Sequence, residues 1–268
     1  MTQKLQTLAP TLMQKLLGRN YKWWYVIEYN FKLSLAESWS AIFIILRDFL
    51  PLVISITIYS NFSQSNEFLE YFLIGNFLYK MYTLFADIAW EVSSDIYYGT
   101  LTNRLLTPSN YKLFHIFSCV GGNLYTTFTN LLILFTLLIS NQILPKFNFT
   151  LIFFFFISCC VYFSIDYLVG SITFWNRATS KLIEFKSQLV PFLSGGLVIL
   201  GTNSITKSFV YLPFSFLVHH PMQIYLGKYS PVETIYVFAG GIFWCFALYF
   251  LAKWVFKMGL KRNEAVGL

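Results

Sequence analysis

Charge is what this sequence has least of. Asp, Glu, Lys and Arg make up 12% of its 268 residues, about half the share of an ordinary soluble domain. So few charges cannot cover a water-facing surface. Polar–apolar alternation is missing as well. Residues 151–156 read LIFFFF, unlike the dyad-repeat segments of a membrane β-barrel. Cysteine is limited to Cys119, Cys159, Cys160 and Cys245. All four sit in apolar runs at no zinc or redox spacing, so they read as small packing residues. The first 20 residues are polar and basic, without an apolar stretch before a small-residue cleavage site, so no cleavable signal peptide is expected.

Catalytic signatures are also missing. Neither HExxH nor GxSxG occurs, and the acids are isolated, which argues against an integral membrane lipid-modifying enzyme. The string nearest to a phosphate-cradling GxxxxGK[ST] loop is GTNSITKS at 201–208, which lacks the second glycine. Halves 1–140 and 141–268 show no convincing repeat, which argues against a secondary transporter. His115, His219 and His220 invite metal or proton-relay readings. Adjacent histidines on a helix cannot easily turn both rings to one ion, so all three read as surface or interfacial packing.

What is present is 56% hydrophobic and 21% aromatic. Because lipid offers the backbone no hydrogen bonds, apolar runs of about 20 residues should cross as helices. Six spans are predicted, at 44–61, 69–90, 112–140, 150–175, 188–203 and 233–255. The third is interrupted by Gly121-Gly122. Residues 21–46 mix Trp and Lys, and Trp23, Val26, Ile27, Asn30 and Phe31 share a helical face, as in a helix lying at the membrane surface. Residues 91–111 read as a polar loop in which Ser93 or Ser94 could cap a short helix, and residues 176–187, with Arg177, Lys181, Glu184 and Lys186, read as a second polar loop. Residues 204–232, broken by Pro213, Pro221 and Pro231, are too short to cross and read as re-entrant or interfacial. The whole is one permease domain: a lead-in and interfacial helix at 1–43, the bundle at 44–255 and a tail at 256–268.

Lysine and arginine set the orientation. With the N-terminus inside, 15 of the 19 basic residues face the cytoplasm, the asymmetry of the positive-inside rule. Both termini are then cytoplasmic, in a plasma or inner membrane. Charges inside spans are costly and face protein or water. The candidates are Lys80, Asp87 and Asp166. Lys80 and Asp87 are seven apart on one helix face, and Asp166 lies within about one turn of Lys80 in depth. A Lys80–Asp166 or Lys80–Asp87 pair that fixes helix packing is therefore expected.

Three local strings join this layout. Residues 99–108 read GTLTNRLLTP, residues 211–233 read YLPFSFLVHHPMQIYLGKYSPVE, and the chain ends in GLKRNEAVGL. In order and spacing the chain resembles the membrane-spanning permease subunit of type-2 ABC (ATP-binding cassette) exporters. The resemblance implies an all-α integral membrane fold and no enzymatic activity in this chain. It also implies a separate cytoplasmic ATPase dimer holding ATP and Mg, with no cofactor here, and a second permease chain, identical or a similar paralogue. The substrate path would run at the permease dimer interface, among membrane lipid, and nucleic acid would play no part. Coupling to the ATPase would use the interfacial helix, with Trp23 and Lys32, and the 91–111 loop. There Gly99, Leu101, Leu105 and Pro108 would shape the loop, while Glu91, Asp95 and Arg104 make polar contacts at its rim.

Overall fold

The computed structural model describes residues 21–36, 66–85, 87–107, 110–143, 149–176, 179–201 and 204–265, together with 43, 46, 49, 50, 53, 54 and 57. Among these residues the regular elements are all helical, with no strand. In chain order they are α1 (Tyr21–Ala36), α2 (Asn66–Tyr82), α3 (Ile88–Tyr97), α4 (Leu101–Leu106), α5 (Tyr111–Ser140), α6 (Phe149–Ser171), α7 (Thr179–Ser194), α8 (Ser204–Phe209), α9 (His219–Tyr225) and α10 (Pro231–Ala265). Pro108, the 1–20 lead-in and most of the predicted 44–61 span lie outside the described residues. The described positions of that span are helical, and Phe49 packs on the core.

Three helices, α5, α6 with its 3-10 extension to Phe174, and α10, are long and apolar enough to cross a membrane. They coincide with the predicted third, fourth and sixth spans. Each has a local reason to start where it does. The Asn110 side chain caps α5 by accepting the backbone N–H groups of Lys112 and Leu113, at 3.1 and 3.3 Å. At α10, Ser230 and Glu233 form a reciprocal capping box: the Ser230 N–H donates to Glu233 Oε2 (2.8 Å) and the Glu233 N–H to Ser230 Oγ (3.3 Å).

The other predicted boundaries are corrected. The predicted 69–90 span is broken. Its helix stops at Tyr82, a 3-10 turn follows over Thr83–Phe85, and Asp87 takes the left-handed conformation (φ 72°) before α3 begins. Asp87 is exposed at this break, so it does not share a helix with the buried Lys80. The predicted 91–111 loop is helical in α3 and α4, and Ser93 and Ser94 lie within α3. The predicted 188–203 span begins earlier, as α7, inside the stretch read as a polar loop. It ends at Ser194, where Gly195 turns the chain at φ 90° and the Gly196 N–H bonds the Pro191 carbonyl at 3.0 Å.

Gly121-Gly122 does not interrupt α5, which runs unbroken through it. A β-carbon at Gly121 would overlap the Ile27 backbone of α1. The glycine is a seat for the crossing helix. The rest of the α1 face follows, with Trp23 stacked on Phe117 (ring centroids 5.1 Å apart) and Asn30 against the Gly121 position. Lys32 points away and pairs with Glu28 at 2.6 Å.

Two apolar clusters hold the bundle. The larger joins α2, α5, α6 and the 204–232 segment through Phe72, Leu73, Leu134, Phe154, Leu217 and Met222. That segment folds as short helices, and Ser158 Oγ of α6 donates to the Phe216 carbonyl at 2.7 Å. His219 and His220, read as surface or interfacial packing, are buried here. His220 contacts the Tyr229 hydroxyl and the Val210 carbonyl at 3.0 and 3.1 Å. The smaller cluster lies at the opposite end, among Ile88, Val92, Leu101, Tyr111, Tyr167 and Phe256.

Candidate functional site

The smaller cluster seats a helical hairpin, α3 and α4, joined by a turn at Thr100. Gly99 supplies the left-handed residue (φ 72°) that stops α3. Leu101 is buried and anchors α4, whereas Leu105 is exposed. The hairpin thus has a root and a tip of opposite character.

The root is ionic. Glu91 and Asp95, expected to make polar contacts at the rim of the loop, lie one helical turn apart on α3. They turn inward onto His115 of α5, which is 1% exposed through its side chain. His115 Nδ1 lies 2.9 Å from Glu91 Oε2 in hydrogen-bond geometry. Its Nε2 lies 3.0 Å from Asp95 Oδ2, but out of line for a hydrogen bond, so that contact is electrostatic. Ser118 Oγ donates to Glu91 Oε1 at 2.8 Å. Thr100 Oγ1 donates to Asp95 Oδ1 at 2.8 Å, and Arg104 Nε approaches the same oxygen at 2.8 Å. The Arg104 guanidinium also covers the Phe114 ring at 4.6 Å. The imidazole ring thus stands between the two carboxylates, with Arg104 on the far side of Asp95.

Burial by itself would raise both carboxyl groups. The His115 contacts, together with the hydroxyl of Ser118 at Glu91 or Thr100 at Asp95 and the nearby Arg104 charge, outweigh it and hold both below the usual carboxylate range.

A second tie fixes the start of α3. Asp166 of α6, fully buried, accepts the backbone N–H of Ala89 at 3.0 Å and pairs with Lys186 of α7. The expectation of a Lys80–Asp166 pair is thereby corrected: the cation on Asp166 is Lys186, which the sequence reading left in a polar loop. The close fit of α6 to α3 needs Gly170, where a β-carbon would stand 2.9 Å from the Ala89 carbonyl oxygen and 3.0 Å from Val92 Cβ. Thr173 Oγ1 adds a 2.9 Å bond to Ser93 Oγ.

The tip is apolar and open. Tyr98, at the end of α3, is 74% and Leu106, at the end of α4, 78% exposed, and Tyr97 and Leu105 are exposed as well. The Tyr97 and Tyr98 rings meet edge to face at 5.1 Å. Sequence reasoning took His115 for a packing residue and missed Ser118 and Lys186 at the root and Tyr97, Tyr98 and Leu106 at the tip. The signal for the root was the spacing of Glu91 and Asp95 by four, which puts both on one face. The signal for the tip was the YY and LL pairs flanking the turn.

The acids and the imidazole of the root are taken up by one another, and among the described residues no group of three His, Cys, Asp or Glu residues could hold a metal ion. The root ties α3 to α5 through His115 and, at the start of α3, to α6 through Asp166, which pairs with Lys186 of α7, while apolar side chains of the hairpin remain exposed.

A family model described as ABC-2 family transporter protein matches residues 39–267; α1 precedes the matched region. No curated protein and no solved structure matches the chain.

Proposed function

This chain belongs to the ABC-2 family of transporter proteins, and from that premise we propose that it is one permease subunit of an exporter whose ATPase grips the α3–α4 hairpin. It is an integral membrane protein, the family's membrane component, and that family lacks an ATPase domain. Such permeases generally pair with ATPase subunits. In the reading proposed, six spans cross the membrane, both termini are cytoplasmic, and α1 lies along the cytoplasmic surface. Two permease chains enclose the substrate path between them. A cytoplasmic ATPase dimer binds ATP and Mg.

The observation that carries this reading is the hairpin's polarity, an apolar tip exposed on a buried ionic root. Tyr98 and Leu106 would enter a groove of the ATPase. Closure of the ATPase dimer would press on the tip, and the root would pass the movement to α5 through His115 and to α6 and α7 through Asp166 and Lys186. Trp23 and Lys32 of α1 would stand beside this hinge, with Trp23 tying α1 to α5.

Co-purification tests the reading. The wild-type chain should carry its ATPase through purification. Leu106→Glu places a charge at an exposed position, so it should leave the fold intact and abolish the association. Retention of the ATPase by Leu106→Glu combined with Tyr98→Ser would refute the proposed docking surface.

A further inference from the structure

At the end of the bundle that carries the hairpin, a lysine is held in an uncommon way. Lys112, in the first turn of α5, lies 4.7 Å from the ring centroids of both Tyr167 of α6 and Tyr249 of α10. Two ring faces fix its ammonium at the seam of three helices. Lys253, one turn beyond Tyr249, stands near enough to repel it. Among the described residues no carboxylate pairs with either lysine. Lys257 and Lys261 continue the same face at four-residue intervals, both exposed. From 249 to 262, α10 contains no acid at all.

Like charges held together without a counter-ion call for an anion. Depth identifies its source. From Glu233, in the first turn of α10, to Lys253 is about 20 residues, or about 30 Å of helix, the thickness of the hydrocarbon core. Lys253 and Lys112 therefore lie at headgroup level, with apolar helix on one side and water on the other. We infer that the Lys112–Lys253 seam between α5, α6 and α10 binds the phosphate of one anionic phospholipid, with Tyr167 and Tyr249 holding Lys112 in place for it. Assignment to the cytoplasmic leaflet rests on the orientation proposed above; the site itself does not.

Binding can be read on the full-length chain in detergent, by native mass spectrometry and melting midpoint. The titrants are phosphatidylglycerol, phosphatidylcholine and inorganic phosphate. Phosphatidylglycerol should remain as a single adduct and raise the midpoint, and the other two should do neither. Lys112→Gln/Lys253→Gln should weaken that adduct roughly tenfold, and Lys112→Arg/Lys253→Arg should keep it. Lys253→Gln alone, at an exposed side chain, gives the same direction without endangering the fold. The inference is overturned by equal retention of phosphatidylcholine, by full replacement of the lipid effect by inorganic phosphate, or by an unchanged adduct in the glutamine variants. Loss of the ATPase from those variants with the lipid adduct intact also overturns it, because the seam would then be a protein-docking face.

Discussion

His115 and Asp166 carry most of the structural consequence among single residues. Each is a buried polar group whose partners come from other helices, so each ties helices together where apolar packing alone would let them slide. Removing one partner of a buried ion pair strands the other, at a cost of about 3–5 kcal/mol, whereas replacing both with apolar groups is often neutral. Lys186→Met should therefore lower the melting temperature sharply, and Asp166→Leu/Lys186→Met should recover much of the loss. A double variant no better than the worse single one would contradict the pairing. The carboxylates at the root make a pH prediction. Glu91 and Asp95 are both depressed, so the stability they supply is complete above the ordinary carboxylate value, about 4. It is lost as the pH falls through their lowered values. In His115→Gln, burial is no longer offset to the same degree, so the loss should begin at a higher pH than in the wild type. Melting curves from pH 7 down to pH 3 measure the difference. Identical acid limbs would remove His115 from the root.

At the level of elements, the glycine seats and the hairpin decide how the spans are arranged. Gly121→Val should force α1 off α5, because the Ile27 backbone occupies the space. Overpacking of this kind costs about 1–3 kcal/mol. Faster proteolysis within residues 21–36, with the rest of the chain protected, is the expected readout. Uniform proteolysis would mean that α1 is not a separable element. The same positions explain what the sequence disclosed. The α5, α6 and α10 spans were legible because long uninterrupted apolar runs have only one good use in a bilayer. The end of α2 was not, because it depends on Asp87 taking a left-handed conformation that an aspartate only sometimes adopts. Gly121-Gly122 was read as a break because glycine weakens a helix locally, and the partner that makes it useful lies about 90 residues away in sequence. Lys186 was left in a loop because neighbouring Arg177, Lys181 and Glu184 make that stretch look solvated. Its partner, Asp166, becomes apparent only once α6 and α7 are side by side.

Taken as a whole, the molecule is the membrane component of an ABC-2 family transporter, and that family lacks an ATPase domain. The chain alone, purified and reconstituted, should hydrolyse no ATP, and hydrolysis should appear only when the separate ATPase is added. The part of this account visible in sequence was the class: scarce charge, apolar runs, one-sided basic residues and the strings at 99–108, 211–233 and the tail. What needed three dimensions was the hairpin's arrangement: Glu91, Asp95 and Arg104, expected to make polar contacts at the loop rim, meet His115 and one another at the root, while Tyr98 and Leu106 stay exposed for the docking proposed above. A photo-activatable amino acid placed at position 106, in membranes containing the assembled transporter, tests that most directly. Irradiation should yield an adduct between this chain and the cytoplasmic ATPase, and the same probe at exposed Tyr211 should yield none. An ATPase adduct from position 211 with none from position 106 would contradict the account.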